Sequence, residues 1–163
     1  MSHRTFLITG ASKGIGRALA ERLARVGHRV VGIARGADDP GFPGTLVPLD
    51  LADSTASATE LAALAREYAF DGVVNNVGLV RPPPLGAIDL DTLDDVLRLN
   101  LHPALIAAQT LLPGMRASGW GRIVNIASLV VLGAPERTAY AAAKTALVSF
   151  ARSWARSSCG GMA

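Results

Sequence analysis

Cysteine is almost missing from this chain: Cys159 is the only one among 163 residues. A single cysteine cannot close an internal disulfide, so a reducing compartment is favoured and stability must come from a packed core. Aromatic residues are scarce at 5%, which leaves Ala, Val, Leu and Ile to build that core. Charged residues are also few, 18% against 50% hydrophobic, a balance that excludes a disordered tail or a coiled coil. The net charge of +3 comes from scattered arginines. No basic run resembles a nucleic-acid arm and no aromatics interleave with the arginines, so nucleic acid is not an expected partner. No apolar stretch reaches the ~18 residues needed to cross a bilayer. Met1 leads through Ser2, His3 and Arg4 into a strand pattern, which lacks the form of a signal peptide. A cytoplasmic protein without a membrane partner is the expectation. His3, His28 and His102 lack metal-site spacing, and no cysteine or acidic cluster joins them, so no metal is expected.

At this length one domain is the prior, and the patterns that are present alternate in type. Phe6-Leu7-Ile8 is a short apolar run ending in a glycine-rich turn. Ile15, Leu19, Leu23 and Val26 then repeat at helical spacing until Gly27. Residues 29–34 form a second strand pattern and 36–44 a loop rich in Gly, Asp and Pro. Residues 46–49 read as a third strand with Pro48 near its end. Residues 54–68 read as an Ala/Leu helix capped by Asp53 or Ser54. Gly72 to Asn75 is the fourth strand, and three successive prolines at 82–84 forbid regular structure there. A helix is expected from Leu90 to about Ser118, with irregularities at Pro103 and Gly114. Residues 122–126 form the fifth strand, and Ala139 to Arg156 the last helix. Strands separated by helices imply right-handed crossovers and a parallel sheet. The fold class is α/β, a doubly wound parallel sheet of Rossmann type.

Gly10, Gly14 and Gly16 fall between the first strand and first helix. A turn in that position aims unpaired backbone N–H groups and the positive helix end at an anion. Glycine lets a pyrophosphate approach the backbone closely. Further on, Tyr140 and Lys144 are four residues apart and share one helix face. A phenol with an ordinary pKa of roughly 10 is a poor acid at neutral pH, and a neighbouring ammonium makes it competent. Ser128, just past the fifth strand, stands at a strand's carboxyl end, where open α/β sheets bind ligands.

The order Thr9-Gly10-Ala11-Ser12-Lys13-Gly14-Ile15-Gly16, then Asn75-Asn76-Val77-Gly78, Asn100, Ser128 and Tyr140-x-x-x-Lys144 resembles the short-chain dehydrogenase/reductase family from Thr5 to about Arg156. Val77 departs from the alanine usual in the second motif. The resemblance implies hydride transfer between a nicotinamide and a carbonyl or alcohol carbon. It assigns Tyr140 as acid–base, Lys144 as its pKa tuner and a ribose ligand, Ser128 as the group orienting the carbonyl, and Asn100 as helper of a water relay. Cofactor contacts are implied at Thr9, Gly10, Ser12, Lys13, Gly14, Ile15, Gly16, Asp50, Leu51, Asn76 and Gly78, besides Tyr140 and Lys144. At the end of the second strand Ala34 replaces an acidic residue and Arg35 follows it. An acid there would favour NAD, whereas Arg35 with Lys13 suits the 2′-phosphate of NADP. NADP is the expected cofactor and NAD the alternative. Asp38 and Asp39 would oppose the phosphate if their loop folded inward.

The resemblance also implies a longer chain, with a further strand, a substrate-covering segment and a final strand, and association into a homo-oligomer through the long helices. Residues 1–156 are read as the dinucleotide-binding domain with its catalytic helix, and 157–163 as a tail foreign to the family. A one-base deletion that truncated a longer reductase gene is the expectation, tested by sequencing beyond the stop for a family-like reading frame. The rival is a catalytically silent remnant that binds nucleotide or only self-associates.

Overall fold

The computed structural model describes residues 3–36 and 39–159. Five strands, β1 (Thr5–Thr9), β2 (Arg29–Ala34), β3 (Thr45–Pro48), β4 (Gly72–Asn75) and β5 (Arg122–Asn125), form one sheet in the order β3-β2-β1-β4-β5. Every neighbouring pair is parallel. Four helices connect or follow them: α1 (Gly14–Arg25), α2 (Ser54–Glu67), α3 (Leu90–Ala117) and α4 (Thr138–Cys159). A single 3₁₀ turn, Leu129–Leu132, lies between β5 and α4.

Alternation along the strands divides the core between the two faces. Leu7, Val31, Ile33 and Val73 pack with Leu61 and Leu64 of α2 and Leu111 and Met115 of α3. Their neighbours Ile8, Val30 and Val74 face the other way, toward Ala20 of α1 and Phe42. Each such side chain, fully withdrawn from water, contributes roughly 1.5–3 kcal/mol before entropy is charged against it. Because both faces of the central strands are covered, those strands read as continuous apolar runs.

Helix ends follow local chemistry. Gly27, at φ 87°, ends α1 in a Schellman turn in which its N–H reaches Ala24 O and that of His28 reaches Leu23 O. Asp53 caps α2 by accepting from the N–H groups of Thr55 and Ala56, both at 2.9 Å. Asp53→Ala should therefore cost about 1 kcal/mol, read as a lower urea midpoint; an unchanged midpoint would mean water satisfies those groups equally well.

Two expectations about helices need revision. α3 runs unbroken through Pro103 and Pro113. Pro103 is buried in its packed face, where contact with α2 and α4 outweighs the single backbone hydrogen bond that a proline removes. α4 extends three residues past Arg156, to Cys159; residues 160–163 of the expected tail lie outside the described residues.

Strand order reverses between β1 and β4, so the chain leaves the carboxyl ends of these neighbours in opposite directions. Open α/β sheets form their binding crevice at that switch point. The segments that follow β1 and β4 are the glycine-rich turn and Asn76 to Gly78.

Candidate active site

Thr9, fully buried at the end of β1, ties the two sides of the crevice together. Its Oγ1 accepts from the N–H groups of Asn76 (2.9 Å) and Val77 (3.1 Å). Asn76 replies with Nδ2, which donates to the carbonyls of Thr9 and Gly10, each at 3.0 Å. Gly16 fits beneath this lattice: a Cβ there would stand 2.4 Å from Gly10 O and 2.7 Å from Asn76 Nδ2. Bulk is thus excluded where the turn meets α1.

α1 differs from its neighbours at the N-terminus. Asp53 caps α2 and Asp89 caps α3, whereas α1 starts at Lys13 without a side-chain cap and without an acidic residue in its first turn. The positive end of α1 is left to an external anion. This arrangement, rather than the glycine count alone, leaves the turn open to an anion.

Beside it is a cleft of about 300 Å³, lined by Gly10, Ser12, Lys13, Ala34, Arg35, Leu49, Asp50, Leu51, Asn76, Val77, Gly78, Leu79 and Leu99. Eight of the positions named from the sequence as cofactor contacts line it. Lys13 and Arg35 are exposed at the mouth. Asp50 turns its Oδ1 to Ala52 N–H at 3.0 Å, and Leu51 is buried at the cleft wall. Leu49, Leu79 and Leu99 also form the wall, and nothing in the sequence separated them from ordinary core leucines. Asp39 turns away toward Arg17 of α1, while Asp38 lies outside the described residues. The cleft's shape and its paired cations suit a dinucleotide with an added phosphate. Bound there, such a cofactor would supply the hydride-transferring ring.

Gly78 joins this cleft to the catalytic candidates. A Cβ on it would meet Asn100 Oδ1 at 3.0 Å and Lys144 Nζ at 3.5 Å. Asn100 is buried in α3 and donates through Nδ2 to Val96 O (2.8 Å) and Leu79 O (2.9 Å). Its Oδ1 is buried without a partner among the described residues, an acceptor left over for a bound water or ligand. Lys144 is 2% exposed and donates to Ile126 O at 2.9 Å. Its Nζ lies 5.5 Å from the centre of the Tyr140 ring. Ser128 caps the 3₁₀ turn, its Oγ accepting from Val130 N–H at 3.4 Å, and that turn packs on α4. Ile15 in α1 and Leu129 and Leu132 in the 3₁₀ turn are exposed.

α4 is held in place by a polar bridge. Asn75 Nδ2 donates to Asn125 Oδ1 at 2.8 Å, and Asn125 Nδ2 donates to Leu147 O at 3.2 Å. Leu147 lies one turn past Lys144, so β4 and β5 together fix the height of the catalytic helix.

Burial pushes the Lys144 ammonium below its ordinary value of 10.5. The unfolded chain keeps this proton up to the ordinary value, while the folded chain releases it earlier. Between the two the unfolded state binds more protons, so stability rises with pH there and is lowest below the folded value. Lys144→Met should flatten that rise in urea titrations at pH 7 and pH 10; equal slopes in both chains would count against it.

The sheet order, the uncapped helix and the buried amine beside a phenol together describe an open α/β fold of Rossmann type with a cleft at its switch point. The short chain dehydrogenase pattern matches residues 4–159, and the chain belongs to the short-chain dehydrogenase/reductase family. A 3-oxoacyl-[acyl-carrier-protein] reductase of Pseudomonas aeruginosa is 36% identical over 162 residues, covering 92% of this chain and 66% of that protein. A Vibrio harveyi reductase of the same name is 35% identical, with 65% of its length covered. The chain thus spans about two thirds of the curated relatives it matches. Among solved structures, a proposed NAD(P)-dependent gluconate 5-dehydrogenase from Beutenbergia cavernae, with bound NADP at low occupancy, superposes with a TM-score of 0.91 at 36% identity; the match covers 98% of this chain and 68% of that one. Among the described residues no helix is long and apolar enough to cross a membrane.

Proposed function

We propose that this chain holds the cofactor-binding and catalytic part of an NADP(H)-dependent oxidoreductase that interconverts a carbonyl and an alcohol. The observation that carries the reading is the continuity of one site: Lys13, Arg35 and Gly78 line one cleft, and Asn100 and Lys144 lie against Gly78. Arg35 and Lys13 hold the 2′-phosphate, and the free N–H groups at the start of α1 hold the pyrophosphate. The bound nicotinamide would exchange hydride with the substrate carbon. Tyr140 gives or takes the proton at the substrate oxygen, which Ser128 orients. Lys144 keeps positive charge close to the phenol, and Asn100 Oδ1 accepts from a relay water. The NADP-bound neighbours, including an Agrobacterium tumefaciens 3-oxoacyl (acyl-carrier-protein) reductase at 30% identity and a TM-score of 0.85, support the cofactor choice.

The substrate is a small carbonyl compound with apolar character, a reading supported by the exposed Leu85, Leu129 and Leu132 after β4 and β5. Homo-oligomerisation and a cytoplasmic setting belong to the same reading, the latter supported by the lone Cys159; light scattering of the purified chain tests the former. A second reading, a nucleotide-binding chain without turnover, is favoured by the cleft lining, which includes none of Ser128, Tyr140 and Lys144. Fluorescence titration with NADPH and NADH, followed by a ketone-reduction assay, separates the two. Saturable NADPH binding with turnover supports the first reading, binding alone supports the second, and no binding of either cofactor refutes both.

A further inference from the structure

The loop between β2 and β3 contains an acidic residue that ought to oppose a 2′-phosphate. Asp39 lies four residues beyond Arg35, close enough along the chain to pair with that cation or to repel a bound phosphate. It lines no part of the cleft. Its Oδ2 accepts from Arg17 Nη1 of α1 in a short contact, and its Oδ1 accepts from Gly41 N–H at 3.0 Å. We infer that Arg17 is a specificity-determining positioning residue, which secures NADP preference by sequestering Asp39 from the phosphate site of Lys13 and Arg35.

Arg17 is well placed for this. Besides Asp39, its guanidinium donates from Nε to Glu21 Oε1 at 2.8 Å and from Nη2 to Gly41 O at 2.5 Å. One planar group thus grips a carboxylate, a loop carbonyl and its own helix, a use of the guanidinium fork that a lysine could not reproduce. It also lies over the Phe42 ring, 5.5 Å from the centroid. Phe42 is itself anchored, buried against Gly32, where a Cβ would come within 2.5 Å of the ring. Arg17 is 22% exposed and Asp39 33%, so the pair is partly shielded from solvent. As a simple surface ion pair it would add little to stability. Its effect on cofactor choice is larger, because a released carboxylate within about 8 Å of the phosphate acts inside the screening length of physiological salt. The same carboxylate would accept from a ribose 2′-OH, the contact that favours NAD.

The inference rests on the NADP reading above, and a binding cycle separates the failure of either. The 163-residue chain, Arg17→Ala, Asp39→Asn and the double variant are each titrated by fluorescence with NADPH and with NADH, their folding followed by circular dichroism. Arg17→Ala is expected to weaken NADPH binding about tenfold with NADH unchanged or tighter, one unit of 1.4 kcal/mol in preference. Asp39→Asn should keep the original preference, and the double variant should regain it. Equal weakening of both cofactors in Arg17→Ala, or no recovery in the double variant, would show that Arg17 only supports the fold and would overturn the inference. If Arg17→Ala unfolds, the double variant and Asp39→Asn still decide: loss of preference in either overturns it. A parent chain that binds NADPH no better than NADH would instead remove the NADP reading, and this inference with it.

Discussion

Tyr140→Phe should lower reductase turnover by about 10²- to 10⁴-fold, the range for loss of a positioned acid–base group, while leaving NADPH affinity unchanged. The ring would keep its place 5.5 Å from Lys144 Nζ, so the variant deletes only the exchangeable proton. Lys144 does not replace it, because its amine is buried and committed to Ile126 O. Ser128 does not either, since an ordinary hydroxyl is too weak an acid at neutral pH. The comparison needs a steady-state ketone assay beside a cofactor titration. Turnover equal to that of the parent chain would remove Tyr140 from the chemistry, and loss of NADPH binding would give the phenol a cofactor-holding role instead.

Gly16→Val should have the second large effect, and on the opposite observable. Even the first added carbon would overlap Gly10 O and Asn76 Nδ2, two atoms already joined by a hydrogen bond. Gly10 O is backbone, and Asn76 Nδ2, though a side-chain atom, is tied by its bonds to Thr9 O and Gly10 O. Overpacking of this kind costs about 1–3 kcal/mol of stability. Relief of the clash must part the glycine turn from β4, so NADPH binding should be lost while the chain remains folded. Calorimetry with and without NADPH checks both parts: a lower melting temperature, and no further shift on adding cofactor. A variant that melts lower but is still stabilised by NADPH would show that the turn can reshape itself without losing the anion site.

The fold was legible because its signals are local. Leu7 beside Ile8 and Val73 beside Val74 mark strands buried on both faces, and Gly27 marks the close of α1. The start of α2 was legible for the same reason: the sequence offered Asp53 or Ser54 as its cap, and Asp53 takes that place. Much of the candidate site was legible too, since Gly10, Lys13, Arg35, Asn76 and Gly78 are chemically unusual for their places and meet in one cleft. Leu49, Leu79 and Leu99 were not, because an apolar wall for a ligand and an apolar core look alike in a sequence. The 3₁₀ turn after Ser128 is too short for any periodicity to reveal. Pro103 misled in the other direction, as local backbone chemistry gave way to tertiary packing. The fate of Asp39 was illegible for a different reason. Its partner Arg17 is 22 residues away in the chain, and charge alone does not say which of several cations a carboxylate will choose.

Asn75 and Asn76 show how little slack the centre of this domain contains. As consecutive residues they point to opposite sides: Asn75 reaches across to Asn125 and so to α4, while Asn76 reaches back to Thr9 and Gly10. β4 has only four residues, and a slip of one position would put one asparagine in the other's place and Val74 or Val77 in the place left over. A misregistered β4 would therefore leave at least one of the two bridges unmade. The register of one short strand thus sets both banks of the crevice together.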